Sequence, residues 1–214
     1  MSTPAVFLDR DGVINKGVMD EELGQYESPY HAADVELEDG AAEGLRALRE
    51  LGWPLIVISN QPSAAKGIVS LAELWEVHDR VVELLAEEGV ALDDWRYCFH
   101  HPQGEVPQLS GPCPCRKPLP GMLRAAASKH DIDLEGSWTI GDTDTDVGAG
   151  RAAGARTVLV ENPRSAHKRG GAAGEDFRAA DLPAAASVVV GRAGGRSACR
   201  LSQPQADKFD TRRD

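Results

Sequence analysis

The chain has no apolar run long enough to span a bilayer, so a membrane-crossing helix is excluded from the reading. It also lacks the basic and apolar segments of a secretory signal; the amino terminus enters an apolar strand almost at once, and the cytoplasm is the expected compartment. Positive charge is scarce: 23 Lys and Arg against 34 Asp and Glu leave a formal net charge of -11. General nucleic-acid binding rests on neutralising phosphates with Lys and Arg, so no nucleic-acid partner is expected. Internal repeats are absent, which excludes a solenoid, and 214 residues suffice for one domain with a sizeable core. That domain is expected over residues 1–190, as a monomer. The Gly- and Arg-rich stretch 191–214 reads as a flexible tail in which Cys199 is a spare thiol.

What is present begins with Phe7-Leu8-Asp9-Arg10-Asp11-Gly12-Val13-Ile14-Asn15. The short apolar run from Ala5 to Leu8 ends in a turn signal, so it reads as a buried strand delivering Asp9 and Asp11 to a sheet edge. One carboxylate can attack phosphorus and form an acyl phosphate. The other can protonate the leaving oxygen and later deprotonate water. An acidic turn after a strand is common, and three later segments supply the discrimination. Leu55-Ile56-Val57-Ile58-Ser59-Asn60-Gln61 is a second buried strand ending in a hydroxyl and two amides. Cys115-Arg116-Lys117-Pro118 places two cations ahead of a helix, and Trp138-Thr139-Ile140-Gly141-Asp142-Thr143-Asp144-Thr145-Asp146 is a third strand ending in carboxylates. Together they form a phosphoryl-transfer kit.

In this order the four motifs resemble those of the haloacid dehalogenase superfamily of aspartate-nucleophile phosphatases. Within it the chain is most similar to the heptose bisphosphate phosphatases, relatives of the histidinol phosphatases, from about Ala5 to about Val160. The resemblance implies Asp9 as nucleophile and Asp11 as general acid and base. It implies Ser59, Asn60 and Arg116 as contacts to substrate or phosphate, and Lys117 as a point cation on the phosphate. Asp142 would hold magnesium with Asp9 and the backbone carbonyl of Asp11. Asp146 is expected to orient Lys117 or a metal-bound water, and Asp144 to be a solvated turn residue.

Cys98-Phe99-His100-His101 and Cys113-Pro114-Cys115 form a second cluster. Three sulfurs and one imidazole suit tetrahedral zinc, and with no open position such a zinc would be structural. A reduced, metal-free loop is the bland alternative, and His101 could replace His100. A disulfide is disfavoured by the closeness of Cys113 and Cys115. The resemblance implies Cys98, His100, Cys113 and Cys115 as the zinc set, fixing the loop ahead of Arg116 and Lys117.

Alternating strands and helices imply an α/β fold, a Rossmann-like parallel sheet with helices on both faces, capless, carrying the zinc loop. Helices are expected over 40–51, 70–88, 121–129 and 144–153, with strands at 96–99 and 157–160. Asp181 reads as the cap of a helix reaching Val190, the alternative being a strand over 187–190. Trp53, Trp75, Trp95 and Trp138 are expected in core or helix packing, and His78 and Glu83 on a solvated face.

The segment from Lys16 to Asp39 should touch the leaving group. From Val18 to Asp39 it carries eight acids and no Lys or Arg, where a sugar with a second phosphate would prefer a cation. Lys66 could reach a distal phosphate, while Thr143 stands where some relatives have lysine. The expected reaction is magnesium-dependent hydrolysis of a small phosphorylated metabolite through an aspartyl phosphate. A sugar bisphosphate, the 7-phosphate of D-glycero-D-manno-heptose 1,7-bisphosphate, is the first choice and histidinol phosphate the second. The rival of another class is a non-catalytic, zinc-stabilised interaction module.

Overall fold

The computed structural model describes residues 2–171 and 174–199. A six-stranded parallel sheet runs in the order β5-β4-β1-β6-β7-β8, built from β1 (Val6–Leu8), β4 (Leu55–Asn60), β5 (Asp94–Cys98), β6 (Trp138–Gly141), β7 (Arg156–Val160) and β8 (Phe177–Ala179). Central strands are buried on both faces, which is why β1 and most of β4 read as unbroken apolar runs rather than alternating ones. Alternate residues separate into two cores. Val6, Leu8, Val57 and Ile140 pack under α1 (Ala41–Arg49), α2 (Leu71–Glu87) and α5 (Leu182–Cys199). Phe7, Ile56 and Ile58 pack under α3 (Gly121–His130) and α4 (Asp144–Ala153).

Local chemistry accounts for the helix boundaries. Ser70 and Glu73 form a reciprocal capping box that starts α2. Thr143 and Asp146 do the same for α4. Asp181 accepts from the Ala184 amide and starts α5. Apart from the carboxyl-terminal helix, the expected helices and strands stand within two residues of their places, β5 beginning at Asp94 rather than Arg96.

Five expectations need correction. The segment 16–39 holds an antiparallel hairpin, β2 (Val18–Asp20) with β3 (Gln25–Glu27), and a short 3-10 turn, Ala32–Asp34. Its strands are three residues each, too short for an alternation signal. β8 follows what reads as the last strand, because Phe177-Arg178-Ala179 has only one fully buried residue and takes its place from pairing with β7. The carboxyl-terminal helix passes Gly191 and runs to Cys199, so 191–199 is helical and not a tail; the rest of the expected tail, 200–214, lies outside the described residues. His78 is not on a solvated face. It is half-buried, its Nδ1 3.0 Å from the Tyr97 hydroxyl, edge-on to Trp75 and Trp95. Asp144 is partly buried and accepts from the Gly170 amide at 2.5 Å rather than facing solvent. Glu83 is exposed as expected. Trp138 is fully buried, and Trp75 is the exposed edge of the aromatic cluster with His78 and Tyr97. Among the described residues no helix is long and apolar enough to cross a membrane.

β1 lies between β4 and β6, and the chain winds outward from it in both directions. At such a reversal the crevice beyond the carboxyl ends of the strands is open, the place where doubly wound sheets bind ligands.

Candidate active site

Four strand ends or turns deliver their side chains to that crevice. Asp9 follows β1, Ser59 is the last residue but one of β4, Asp142 follows β6, and Lys117 arrives from the turn before α3. Lys117 is buried, and its ammonium donates to the Ile58 carbonyl at 2.9 Å, to Asp9 Oδ1 at 2.9 Å and to Asp146 Oδ1 at 2.5 Å. All three protons are therefore committed. Burial alone would lower its pKa, but Asp146 and Asp9 more than offset this and raise it. Asp146 spends its other oxygen on the amide and hydroxyl of Thr143. It thus orients Lys117, one of its two expected roles.

Asp9 accepts its own neighbour's amide, from Arg10, and Lys117 on Oδ1; no hydrogen bond among the described residues engages Oδ2. Burial, and then the Asp146 carboxylate, outweigh Lys117 and raise its pKa to about 6. Asp142 is pushed well above the carboxylate range, by burial first and Asp9 second, and its Oδ1 is buried without a hydrogen-bond partner. Asp142 comes in over Gly12, where an added Cβ would sit 2.0 Å from Oδ2, so only glycine admits the approach. Asp9, Asp142 and Asp146 place carboxylate oxygens within 4.8 Å of one another. Three buried carboxylates against one lysine leave an excess of negative charge and an orphaned oxygen, which fits a hard, oxygen-seeking divalent cation. Asp9 and Asp142 retain oxygens for it and Asp146 does not.

Asp11 has a different environment. Arg10, fully buried, donates through Nε at 3.1 Å and Nη2 at 2.9 Å to Oδ1, which also accepts from Asn15 at 3.0 Å. Oδ2 accepts from Gln61 at 2.6 Å and from Ser28 at 2.9 Å. Burial would raise its pKa, but Arg10 and then the Asn15 and Gln61 donors hold it below the usual range. With its side-chain oxygens spent, Asp11 has only its main-chain carbonyl to offer a cation. Arg10, Asn15 and Gln61 sit inside the motifs, so their roles were open to inference. Ser28 is reached across the hairpin, and nothing local marks it.

Ser59 is buried, with its hydroxyl 3.1 Å from the Gln61 amide. Asn60 lines the pocket, and its side-chain amide accepts from the Lys117 amide at 3.0 Å and donates to the Lys117 carbonyl at 3.1 Å. It fastens the Lys117 segment to β4. Arg116 donates to the His100 carbonyl at 3.1 Å and lines the pocket, a cavity of about 290 Å³ whose wall also carries Lys66 and Lys168.

Behind Arg116 the second cluster closes up. Cys98, His100, Cys113 and Cys115 converge, with sulfur–sulfur distances of 3.1, 3.3 and 3.6 Å and His100 Nδ1 at 3.6 and 3.9 Å from two of the sulfurs. A tetrahedron with zinc–sulfur bonds of 2.3 Å has edges of about 3.8 Å. No disulfide joins these thiols. The His101 Nδ1 accepts the Gln103 amide, and His101 is not among the four converging residues.

A family model described as HAD-hydrolase-like matches residues 114–185. The chain is 35% identical to the D-glycero-beta-D-manno-heptose-1,7-bisphosphate 7-phosphatase of Yersinia pestis, over 86% of this chain and 95% of the relative. It is 41% identical to the D-glycero-alpha-D-manno-heptose-1,7-bisphosphate 7-phosphatase of Photorhabdus laumondii, over 72% and 81%. Among solved structures, the D,D-heptose 1,7-bisphosphate phosphatase of B. bronchiseptica, complexed with magnesium and phosphate, superposes with a TM-score of 0.73 at 30% identity, covering 89% of this chain and 99% of that one. With relatives at 30% identity or more covered over at least 81% of their length, the chain belongs to the haloacid dehalogenase-like phosphatase family of the heptose-1,7-bisphosphate 7-phosphatases, and it is a phosphatase.

Proposed function

We propose that the protein is a magnesium-dependent phosphomonoesterase that removes the 7-phosphate of a D-glycero-D-manno-heptose 1,7-bisphosphate in the cytoplasm, as a monomer. The observation that carries the chemistry is the placement of Lys117 between Asp9 and Asp146. By binding Asp9 Oδ1 it leaves Oδ2 as the attacking oxygen. The relatives' named substrate and the cations around the pocket support the sugar bisphosphate.

Asp9 Oδ2 forms a bond to phosphorus as the ester P–O bond breaks, and the leaving oxygen takes a proton from Asp11. Ser59 donates to a phosphoryl oxygen during the transfer, and Lys117, its protons committed to Ile58, Asp9 and Asp146, offsets the phosphoryl charge as a buried cation. A water then loses its proton to Asp11 and attacks phosphorus, releasing inorganic phosphate and restoring Asp9. In the arrangement seen Asp11 is ionised, the state that the base of this second step needs, and Oδ2 must release Gln61 or Ser28 to accept the proton. To serve as acid in the first, Asp11 must carry that proton and turn Oδ2 from Gln61 and Ser28 toward the leaving oxygen. Asp9, Asp142 and the Asp11 carbonyl would hold magnesium, which supplies charge neutralisation between the anionic nucleophile and the anionic ester. Cys98, His100, Cys113 and Cys115 would hold a structural zinc that fixes Arg116 through His100.

The raised carboxyls predict a pH-dependent stabilisation by metal. Asp9 and Asp142 carry folded pKa values above their unfolded ones, so the metal-free protein is unpenalised at low pH and loses stability as pH rises from about 4 through 6. Magnesium relieves that repulsion. At about 100 times its dissociation constant it should raise the melting temperature by about 5 to 10 °C at pH 8, and by less than half of that at pH 5. A shift that is flat with pH in differential scanning fluorimetry counts against these carboxylates as the site.

Phosphate release tests the substrate, measured over heptose 1,7-bisphosphates of both anomers, histidinol phosphate, hexose phosphates and nucleotides. The expected result is a kcat/KM at least about tenfold higher for one heptose bisphosphate than for any monophosphate, worth about one charge-assisted contact. A preference for histidinol phosphate would replace the substrate, and no release from any compound would leave an interaction module.

A further inference from the structure

The hairpin beside the pocket is acidic and carries no cation of its own, yet a substrate with a second phosphate needs one. The structure brings it from elsewhere. Lys168 closes the 3-10 turn Pro163–Lys168, 141 residues along the chain from Glu27, and its Nζ lies 3.2 Å from Glu27 Oε2 on β3. Both residues line the cavity that holds Asp9 and Asp142.

The turn carrying Lys168 is docked on the catalytic loops. Ser165 Oγ donates to the Asp142 carbonyl at 3.3 Å and Arg169 Nη1 donates to the same oxygen at 3.0 Å. Buried Asn162 donates to the Gly12 carbonyl at 2.9 Å. Lys168 is thus presented from a platform tied to the site, with its ammonium end partly exposed to the pocket.

Its side of the pocket is the leaving-group side. The transferring phosphoryl group faces Asp9, Ser59 and Lys117, whereas the leaving oxygen must face Asp11. Ser28, bonded to Asp11, is the next residue after Glu27. Whatever is attached to the leaving oxygen therefore passes the Glu27–Lys168 pair.

We infer that Lys168, held over the pocket by Glu27, is a specificity-determining residue that binds the second anionic group on the leaving half of the substrate. The inference rests on the bisphosphate reading above. It also resolves the acidic hairpin: Glu27 is the lysine's counter-ion when no ligand is bound, and the distal phosphate takes its place.

The test compares wild type, Lys168→Gln and Lys168→Arg on the heptose 1,7-bisphosphate and on p-nitrophenyl phosphate, whose leaving group carries no second phosphate. Lys168→Gln should raise KM for the bisphosphate about tenfold, one charge-assisted hydrogen bond, with kcat within about twofold. Its kcat/KM on p-nitrophenyl phosphate should stay at the wild-type value, and Lys168→Arg should recover most of the bisphosphate KM. An unchanged bisphosphate KM, or an equal loss on both compounds, overturns the role of Lys168. A wild type that cleaves p-nitrophenyl phosphate but not the bisphosphate overturns the substrate reading itself.

Discussion

Asp9→Asn should lower kcat by at least about 10⁴-fold while leaving the fold in place. The loss is large because the substitution removes the bond-forming atom and no other carboxylate can take over. Asp142 is placed for a cation, Asp146 is committed to Lys117 and Thr143, and Asp11 is locked by four side chains. The fold survives because asparagine keeps the shape and Lys117 retains Asp146 and the Ile58 carbonyl. Removing a charge from a crowd of buried carboxylates also offsets part of the lost pairing. Thermal unfolding of the variant should lie within a few degrees of wild type. Acid-quenched wild type should carry an acyl phosphate on Asp9 in mass spectrometry, and the variant none. Activity in Asp9→Asn within about a hundredfold of wild type would rule out covalent catalysis at that residue.

Loss of the zinc set should be the next largest effect. Protein purified without chelator should contain about one zinc per chain, the count four convergent ligands imply. Cys113→Ser should lose it. Arg116 is anchored on the His100 carbonyl, and Lys117 follows Arg116 directly, so the loop that carries both cations depends on the cluster. The variant should melt at least several degrees lower and lose at least about tenfold in kcat/KM, the scale on which supporting metal-site residues act. Elemental analysis finding no zinc in the wild type would remove the zinc claim. A zinc-free variant with full activity would separate the metal from catalysis.

The strand ends that line the pocket were legible because each motif is local. An apolar run followed by Asp9, Ser59 or Asp142 states both the burial of the strand and the exposure of its end. The cysteine cluster was legible for a similar reason, two short pairs joined by one loop. The fastening of Lys117 by Asn60 was not legible, since an amide at a strand end shows nothing of the backbone it meets, and only the position of Lys117 supplies that partner. His78 misled because its partners Tyr97 and Trp95 lie on β5, so its helical spacing alone places it toward solvent.

Sequence by itself determined the parallel α/β fold, the acid pair, the buried cation and the Cys/His cluster, because burial pattern and residue chemistry act over a few neighbours. Tertiary structure alone decided what each group is free to do. It assigned the Lys117 protons to Asp9 and Asp146, held Asp11 as an anion among Arg10, Asn15, Ser28 and Gln61, left Asp142 Oδ1 without a donor, and set Lys168 against Glu27. The reason is physical: charge state and hydrogen-bond commitment in a buried site depend on distances of about 3 Å between residues far apart in the chain, and no local pattern encodes those distances.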